Sequence, residues 1–155
     1  MPHIHDKIDF CVEVFIVYNG KVLLRKHDKY KIWLSVGGHI ELDEDPNEAA
    51  VREVKEEVGL DVEIINHTNL PIVMDHNHKG LIPPVFTNRH RISDSHEHVV
   101  LVYFAKSKTD KLILPITKEV SEGCKWFTSD ELKDPKFELT KHVQIYANSA
   151  LDALF

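Results

Sequence analysis

The sequence of 155 residues has few cysteines and no long apolar run. Its two cysteines, Cys11 and Cys124, are too far apart to suggest a metal-binding or redox pair, which favours a reducing compartment. The first ten residues are polar and no segment reaches the ~18 apolar residues of a membrane span, so we expect neither an export signal nor a transmembrane helix. These absences predict a cytoplasmic protein that does not act in a membrane.

Positive charge is also scarce, because 19 Lys and Arg residues face 25 Asp and Glu residues and give a net charge of −6. Such a chain gains no general counterion-release attraction to a nucleic-acid backbone, so non-specific nucleic-acid binding is not expected. Cations can still bridge acidic side chains to phosphate groups, which is compatible with a phosphorylated small-molecule substrate. The length and the 43% hydrophobic content predict one globular domain over residues 1–155.

Local patterns predict alternating strands and helices. Residues 10–17 are nearly all apolar and lead into the turn Asn19-Gly20, which predicts a hairpin with a buried first strand. A helix follows, with its start and end marked by Asp45, Pro46, Glu48 and Gly59. Further strands are predicted near residues 61–65, 99–105 and 125–128, and a last helix near residues 140–154. This order predicts an α/β fold with a mixed sheet between helices.

The internal helix carries three carboxylates close together. A helical wheel separates two groups of side chains: Val51, Val54 and Val58 on one side, and Glu53, Glu56 and Glu57 on another. Like charges at this spacing repel by roughly 0.2–0.5 kcal/mol per pair, and Arg52 can neutralise only one of them. A solvated acidic face would also give this pattern. However, Ala49 and the upstream Gly37-Gly38 leave room for a ligand, and Mg²⁺ prefers oxygen donors.

The segment from Gly38 to Leu60 resembles the signature of the Nudix hydrolases. It reads GHIELDEDPNEAAVREVKEEVGL, in which a glycine, five residues, Glu44 and seven residues precede REVKEEVGL, and every defined position matches. One difference is Val36, where many members of the family have proline. The resemblance implies an α/β/α sandwich with a mixed sheet. It also implies hydrolysis of a nucleoside diphosphate linked to another group, with Mg²⁺ or Mn²⁺ as the metal and no other cofactor.

The resemblance further implies roles for single residues. The implied metal ligands are the backbone carbonyl of Gly38 and the side chains of Glu53, Glu56 and Glu57. Arg52 would orient the glutamates by pairing with Glu44 or Glu56. The general base is left open by the resemblance, with Glu53 as our first candidate and Glu97 as the second, followed by Glu119 and Glu122.

Residues 66–95 are irregular and too long for a plain connection, which predicts a substrate loop. Arg89, Arg91 and Lys79 suit phosphate recognition there, or serve only solubility. The histidines in or beside this loop are His76, His78, His90, His96 and His98. They could bind a transition metal, contact the substrate or lie on the surface, but their spacing matches no structural zinc pattern and no cysteine joins them. Glu13 either reaches a pocket or lies solvated at a sheet edge.

Three functions are compatible with these features. The leading hypothesis is a MutT-like nucleoside triphosphate pyrophosphohydrolase, since the short single domain resembles the small triphosphate-cleaving members of the family. The second is an ADP-ribose or nucleotide-sugar pyrophosphatase. The third is a nucleotide-binding regulatory module on the same fold, which the complete set of signature carboxylates disfavours. The expected partner is a small nucleotide, and a homodimer is compatible with the sequence.

Overall fold

The computed structural model describes residues 3–27, 30–115 and 123–154, so the candidates Glu119 and Glu122 lie outside the described residues. The described elements are, in order, β1 Ile8–Tyr18, β2 Lys21–Lys26, β3 Trp33–Leu34, β4 Val36–His39, α1 Pro46–Val58, β5 Val62–Ile64, β6 Met74–Asp75, β7 His78–Lys79, β8 Phe86–Arg91, β9 Glu97–Ser107, β10 Gly123–Phe127, α2 Ser129–Leu132, a 3-10 helix Pro135–Phe137 and α3 Lys141–Leu154. Among these, no helix has the length and apolar character needed to cross a membrane.

One mixed sheet of eight strands is built around β1. β1 pairs in parallel with β9 along its length, with Ile8 opposite Glu97 and Val17 opposite Lys106. Its other side pairs antiparallel with β2 and with β4. Strands β8 and β5 pair antiparallel with β9, while β10 and β3 pair with β2. Strands β6 and β7 form a separate small hairpin.

Side-chain alternation along β1 gives the sheet an apolar layer on each face. Val12, Val14 and Ile16 pack in one layer with buried residues of α1. Phe15 and Val17 pack in the other layer with buried residues of α3. The sheet therefore lies between α1 and α3, which confirms the predicted α/β/α sandwich.

The predicted turn and helix caps are confirmed. Asn19 and Gly20 both have positive φ, 48° and 73°, as the tight turn between β1 and β2 requires. At the start of α1, the Asp45 side chain accepts from the Glu48 backbone N–H at 2.8 Å, and the Glu48 side chain accepts from the Asp45 N–H at 3.2 Å. Gly59, with φ of 73°, ends the helix in the left-handed region.

Two expectations about local structure are wrong. Residues 66–95 are not irregular throughout, because they contain the β6–β7 hairpin and all of β8. β8 pairs only with β9 among the described strands and is largely exposed, so its polar sequence lacks the apolar alternation of a buried strand. Val51 does not share the packed face of α1, since it is 41% exposed whereas Glu53 is 2% exposed. The packed face is rotated toward the carboxylates and includes Ala49 and Ala50.

Candidate active site

The short strand β4 covers the carboxylates of α1. Gly38 lies opposite Val12 of β1, and a Cβ atom at Gly38 would overlap the Glu53 carboxylate. A Cβ atom at Gly37 would instead overlap the backbone carbonyl of Val12. The paired glycines thus do two different things: Gly37 lets β4 approach β1, and Gly38 leaves space for Glu53 beneath the strand.

Arg52 is the centre of the hydrogen-bond network at this site. Its Nε and Nη2 donate to the two oxygens of Glu44 at 2.9 and 2.6 Å. Its Nη1 donates to Glu53 Oε1 at 3.0 Å and to Glu56 Oε2 at 3.1 Å. Its Nη2 also donates to the His39 carbonyl at 3.1 Å. These bonds equal the five N–H donors of a guanidinium, so Arg52 is fully engaged and contacts both of its anticipated partners.

Glu57 has different partners from Glu53. Its Oε2 is 3.3 Å from Arg25 Nε and accepts from the Gly37 backbone N–H at 3.4 Å. Arg25, from β2, is a site residue that the sequence analysis missed. Strand alternation could have shown only that Arg25 and Leu24 face opposite sides of the sheet, and Leu24 packs in the α3 layer.

Burial changes the protonation of these carboxylates. Desolvation raises the pKa of Glu53, with Glu56 and Glu44 adding to the effect and Arg52 opposing it. Desolvation also raises the pKa of Glu57 to about 7, against the opposing charge of Arg25. By contrast, the hydrogen bonds from Arg52 lower the pKa of Glu44. The site therefore combines one ionised anchor with two carboxyl groups that titrate closer to neutrality.

The anticipated loop residues are not all brought to this site. Glu97 accepts two hydrogen bonds of 2.8 Å from Arg89. Glu97 pairs with Ile8 of β1, whereas Gly38 pairs with Val12 of the same strand. Glu97 and Gly38 therefore lie about 13 Å apart along the strand direction. Lys79 pairs at 2.7 Å with Asp45, the residue that caps α1. Arg91 is exposed at the end of β8.

The position of Glu13 shows that one of its two interpretations, a solvated residue at a sheet edge, is wrong. It lies on β1, inside the sheet between β4 and β9, and is not at an edge. It is opposite Gly37, and strand alternation places it on the α3 side of the sheet. Desolvation raises its pKa to about 7, as expected for a half-buried carboxyl group rather than a solvated one.

The histidines of residues 66–98 separate into two kinds. His76 and His78 are exposed in and beside the β6–β7 hairpin, and His90 is exposed on β8, opposite His98. His96 and His98 instead lie close to His3, Asp9 and His39, and Cys11 is near His39 and His98. The expectation that no cysteine joins these histidines is therefore wrong. The parallel register, in which Asp9 lies opposite His98, brings together residues that are far apart in sequence.

This geometry agrees with the comparison with known proteins. A model of the NUDIX domain matches residues 10–148. The chain belongs to the NUDIX family. The Nudix resemblance of residues 38–60 is thereby confirmed, and the α1 carboxylates belong to a Nudix hydrolase domain.

Solved structures place this Nudix domain among similar folds. It resembles a NUDIX-family hydrolase from Clostridium perfringens with 36% identity and a TM-score of 0.81, covering 95% of this chain and 98% of that one. A MutT NUDIX hydrolase from Burkholderia pseudomallei shares the fold at a TM-score of 0.66 and 21% identity, over 97% and 100% of the two chains.

A protein from Xenopus laevis named m7GpppN-mRNA hydrolase NUDT17 is 27% identical over 147 residues. The match covers 88% of this chain but 44% of the Xenopus protein, so the chain spans less than half the length of that relative.

Nudix hydrolases generally depend on a divalent cation, and the residues present fit one. Glu53 and Glu57 are carboxylates withdrawn from water, and both have raised pKa values that a nearby cation would lower. Glu56 lies on the same helix face and is more exposed. Gly38 leaves the space beside Glu53 that a side chain would fill. Oxygen donors of this kind suit Mg²⁺ or Mn²⁺.

Proposed function

We propose that this Nudix domain hydrolyses a pyrophosphate bond in a nucleoside diphosphate linked to another group, with nucleoside triphosphates as the leading substrate class. The observation that carries the proposal is the burial of Glu53 under Gly38, with Arg52 holding its carboxylate. Withdrawing a carboxylate from water is costly, and such groups with shifted pKa values are typical of functional sites.

Each residue then has a defined task. The groups that would hold the cation are the Gly38 carbonyl, Glu53, Glu56 and Glu57. When bound, the cation supplies charge neutralisation at the pyrophosphate and activates a water molecule. Arg52 is a positioning residue, because its hydrogen bonds to the protein already use every N–H donor. Glu44 anchors Arg52 through a bidentate pair.

Glu53 is our choice for the general base. Its Oε1 accepts from Arg52, which leaves Oε2 to take the proton from the attacking water. Burial raises the pKa of Glu53 toward neutral pH, and a general base is most effective when its pKa is close to the working pH. Glu97 is the second candidate, but it would have to exchange its ion pair with Arg89 to take this role.

Substrate contacts follow from charge and position. Glu13 lies opposite Gly37 on the α3 side of the sheet, and we assign it to the nucleoside end of the substrate. A half-buried carboxyl group with a pKa of about 7 can donate or accept a hydrogen bond at a base edge. Arg91 remains our candidate for phosphate binding, whereas Arg89 and Lys79 would first have to leave Glu97 and Asp45.

The test is a hydrolysis screen with Mg²⁺ and separation of the products. The panel contains nucleoside triphosphates, ADP-ribose, UDP-sugars and a cap dinucleotide, the last because of the name of the Xenopus relative. We expect a nucleoside monophosphate and pyrophosphate from the best triphosphate. Preference for ADP-ribose or a UDP-sugar would support the second substrate class instead.

The control variant is Glu53→Gln, purified in the same way. It should bind the substrate with little activity. Saturable nucleotide binding by the wild-type chain without hydrolysis of any panel member would overturn the proposal in favour of a regulatory module. Hydrolysis that persists unchanged in Glu53→Gln would indicate a contaminating enzyme.

A further inference from the structure

A second group of metal-ligating side chains lies on the opposite face of the sheet from the α1 carboxylates. We call it the histidine cluster, and it comprises His3, Asp9, His39, His96 and His98, with Cys11 beside it. Asp9, Cys11 and Phe15 lie on the same side of β1, the side that packs against α3. His98 pairs with Asp9, and His39 pairs with Cys11. Three strands and the N-terminal segment thus contribute to one small volume.

The ligand atoms converge on one oxygen atom. His3 Nδ1, His96 Nε2 and His39 Nε2 lie 3.1, 3.2 and 3.3 Å from Asp9 Oδ2. The Nε2 atoms of His39 and His98 are 3.4 Å apart. Zinc bonds of about 2.0–2.1 Å in a tetrahedral site place neighbouring ligand atoms roughly 3.3–3.4 Å apart, close to these separations.

Hydrogen bonding alone does not account for this convergence. One carboxylate oxygen has two lone pairs, and Asp9 Oδ2 already lies 3.3 Å from the Ile4 backbone N–H that donates to it. Three imidazole nitrogens compete for what remains. In the part of the chain that the structure describes, the buried His96 Nε2 has no hydrogen-bond partner.

His96 gives the most direct indication of a cation. Its Nδ1 lies 3.3 Å from the Asp6 carbonyl oxygen, which can only accept, so Nδ1 carries the proton. In the neutral ring Nε2 then has a lone pair, and that lone pair faces the Asp9 carboxylate in a side chain only 4% exposed. Either a proton on Nε2 or a bound metal ion would turn this repulsion into attraction, and Nε2 makes no hydrogen bond in the described part of the chain, which favours the metal ion. Metal-ligating histidines commonly donate their other ring N–H to a backbone carbonyl in this way.

We propose that the histidine cluster binds a divalent transition-metal ion of the zinc type, with His3, Asp9, His96 and His98 as its ligands. These four residues offer ligand atoms that all lie within 4.8 Å of one another. Three nitrogens and one oxygen suit zinc, whereas Mg²⁺ and Mn²⁺ prefer the oxygen donors of the α1 carboxylates. The two sites therefore select different metals.

The metal would join segments that are distant along the chain. His3 precedes β1, Asp9 lies within β1, His96 directly precedes β9, and His98 is the second residue of β9. His39 belongs to the cluster without being one of the four proposed ligands; it follows Gly38, and its carbonyl accepts from Arg52. Occupancy should therefore stabilise the N-terminal segment and β4 without supplying a group to the hydrolysis. This inference does not rest on the proposed function.

The experiment measures zinc content and thermal stability of the full chain, purified without a polyhistidine tag. Chelator-treated protein is loaded with zinc, desalted and analysed for metal. We expect one tightly held zinc per wild-type chain and its loss in His98→Gln, whose side chain is only half-buried and so should tolerate the change. His78→Gln is the matched control, since His78 is exposed and is not a member of the cluster, and it should retain the metal.

Two further readouts separate this site from the carboxylates. Zinc should raise the Tm of the wild-type protein and of Glu57→Gln by several degrees, but not that of His98→Gln. Cobalt in place of zinc should give the visible bands of a tetrahedral site without a thiolate charge-transfer band. This measurement on the wild-type protein needs no variant to fold.

The proposal is overturned if zinc-loaded wild-type protein retains no stoichiometric metal, or if His98→Gln retains as much. A thiolate band would overturn the ligand assignment in favour of Cys11. Absence of zinc together with active hydrolysis would reject this site and leave the proposed function intact.

Discussion

The α1 carboxylates and the histidine cluster lie on opposite faces of one sheet, on either side of β4, and they are assembled differently. Glu53, Glu56 and Glu57 come from one helix, and Arg52 offsets part of their charge. The histidine cluster draws on residues up to 95 positions apart, from His3 to His98, around one carboxylate. The first site can be recognised from spacing along the sequence. The second exists only because a parallel strand register brings its members together.

The largest expected effect is the removal of metal, which should affect the two sites separately. A strong chelator should abolish hydrolysis, since clustered carboxylates cannot neutralise a pyrophosphate by themselves. Adding Mg²⁺ alone should restore activity, and adding zinc alone should restore Tm without activity. Activity assays and thermal melts on the same samples measure both. Hydrolysis that survives the chelator would contradict the metal dependence, and recovery of activity by zinc alone would remove the distinction between the sites.

The next effect concerns the general base within the carboxylate site. Glu53→Gln should lower turnover by on the order of 10²–10⁴, with a modest change in KM, because it removes a group that acts in the transition state. Glu97→Gln should cost much less, since Glu97 pairs with Arg89. Steady-state kinetics at saturating Mg²⁺ compare the two variants.

If Glu97→Gln is the more impaired of the two variants, the base lies outside α1. The Tm in chelator provides the control, because an inactive variant with an unchanged Tm has lost chemistry rather than fold.

Smaller effects should separate the two neighbouring glycines of β4. Gly37→Ala places a methyl group against the Val12 carbonyl and should destabilise the fold by about 1–3 kcal/mol. Gly38→Ala places one against the Glu53 carboxylate, which can move, and should lower turnover by on the order of 10²-fold through misplacement of Glu53. Urea unfolding and kinetics on both variants measure the contrast. Equal stability losses would show that Gly38 serves strand pairing as well.

The smallest effect is the pH dependence that Glu57 gives to the metal-free fold. Its pKa rises from 4.5 to about 7 on burial, so the folded state holds a proton that the unfolded state releases. Stability should therefore fall as pH rises from about 4.5 to 7. Glu57→Gln lacks this loss and should gain roughly 2 kcal/mol relative to the wild-type protein between pH 5 and pH 8, in chelator.

The matched variant for this measurement is Glu56→Gln, whose side chain is 59% exposed. Its stability relative to the wild-type protein should change little over the same pH interval. A marked loss of stability in Glu57→Gln at pH 8 would show that the pair with Arg25 outweighs the cost of burial.

Particular residues show which features of the protein could be predicted from the sequence. The caps of α1 were predictable because Asp45, Glu48 and Gly59 act on backbone groups within a few positions of themselves. The strand β8 was not predictable, because an exposed edge strand lacks the apolar alternation that marks a buried strand. The sequence left two interpretations of Glu13 open, because a single charge in an apolar run does not reveal whether its strand is central.

The sequence by itself determined the family, the position and limits of α1, and the identity of the carboxylates on it, because these depend on contacts between residues close along the chain. Only the tertiary structure decided which side of α1 is buried, that Glu53 lies under Gly38, that Arg25 reaches Glu57, and that Asp9 meets four histidines. Those relations depend on how β1 pairs with β4 and β9, and strand register is set by the packing of the whole sheet.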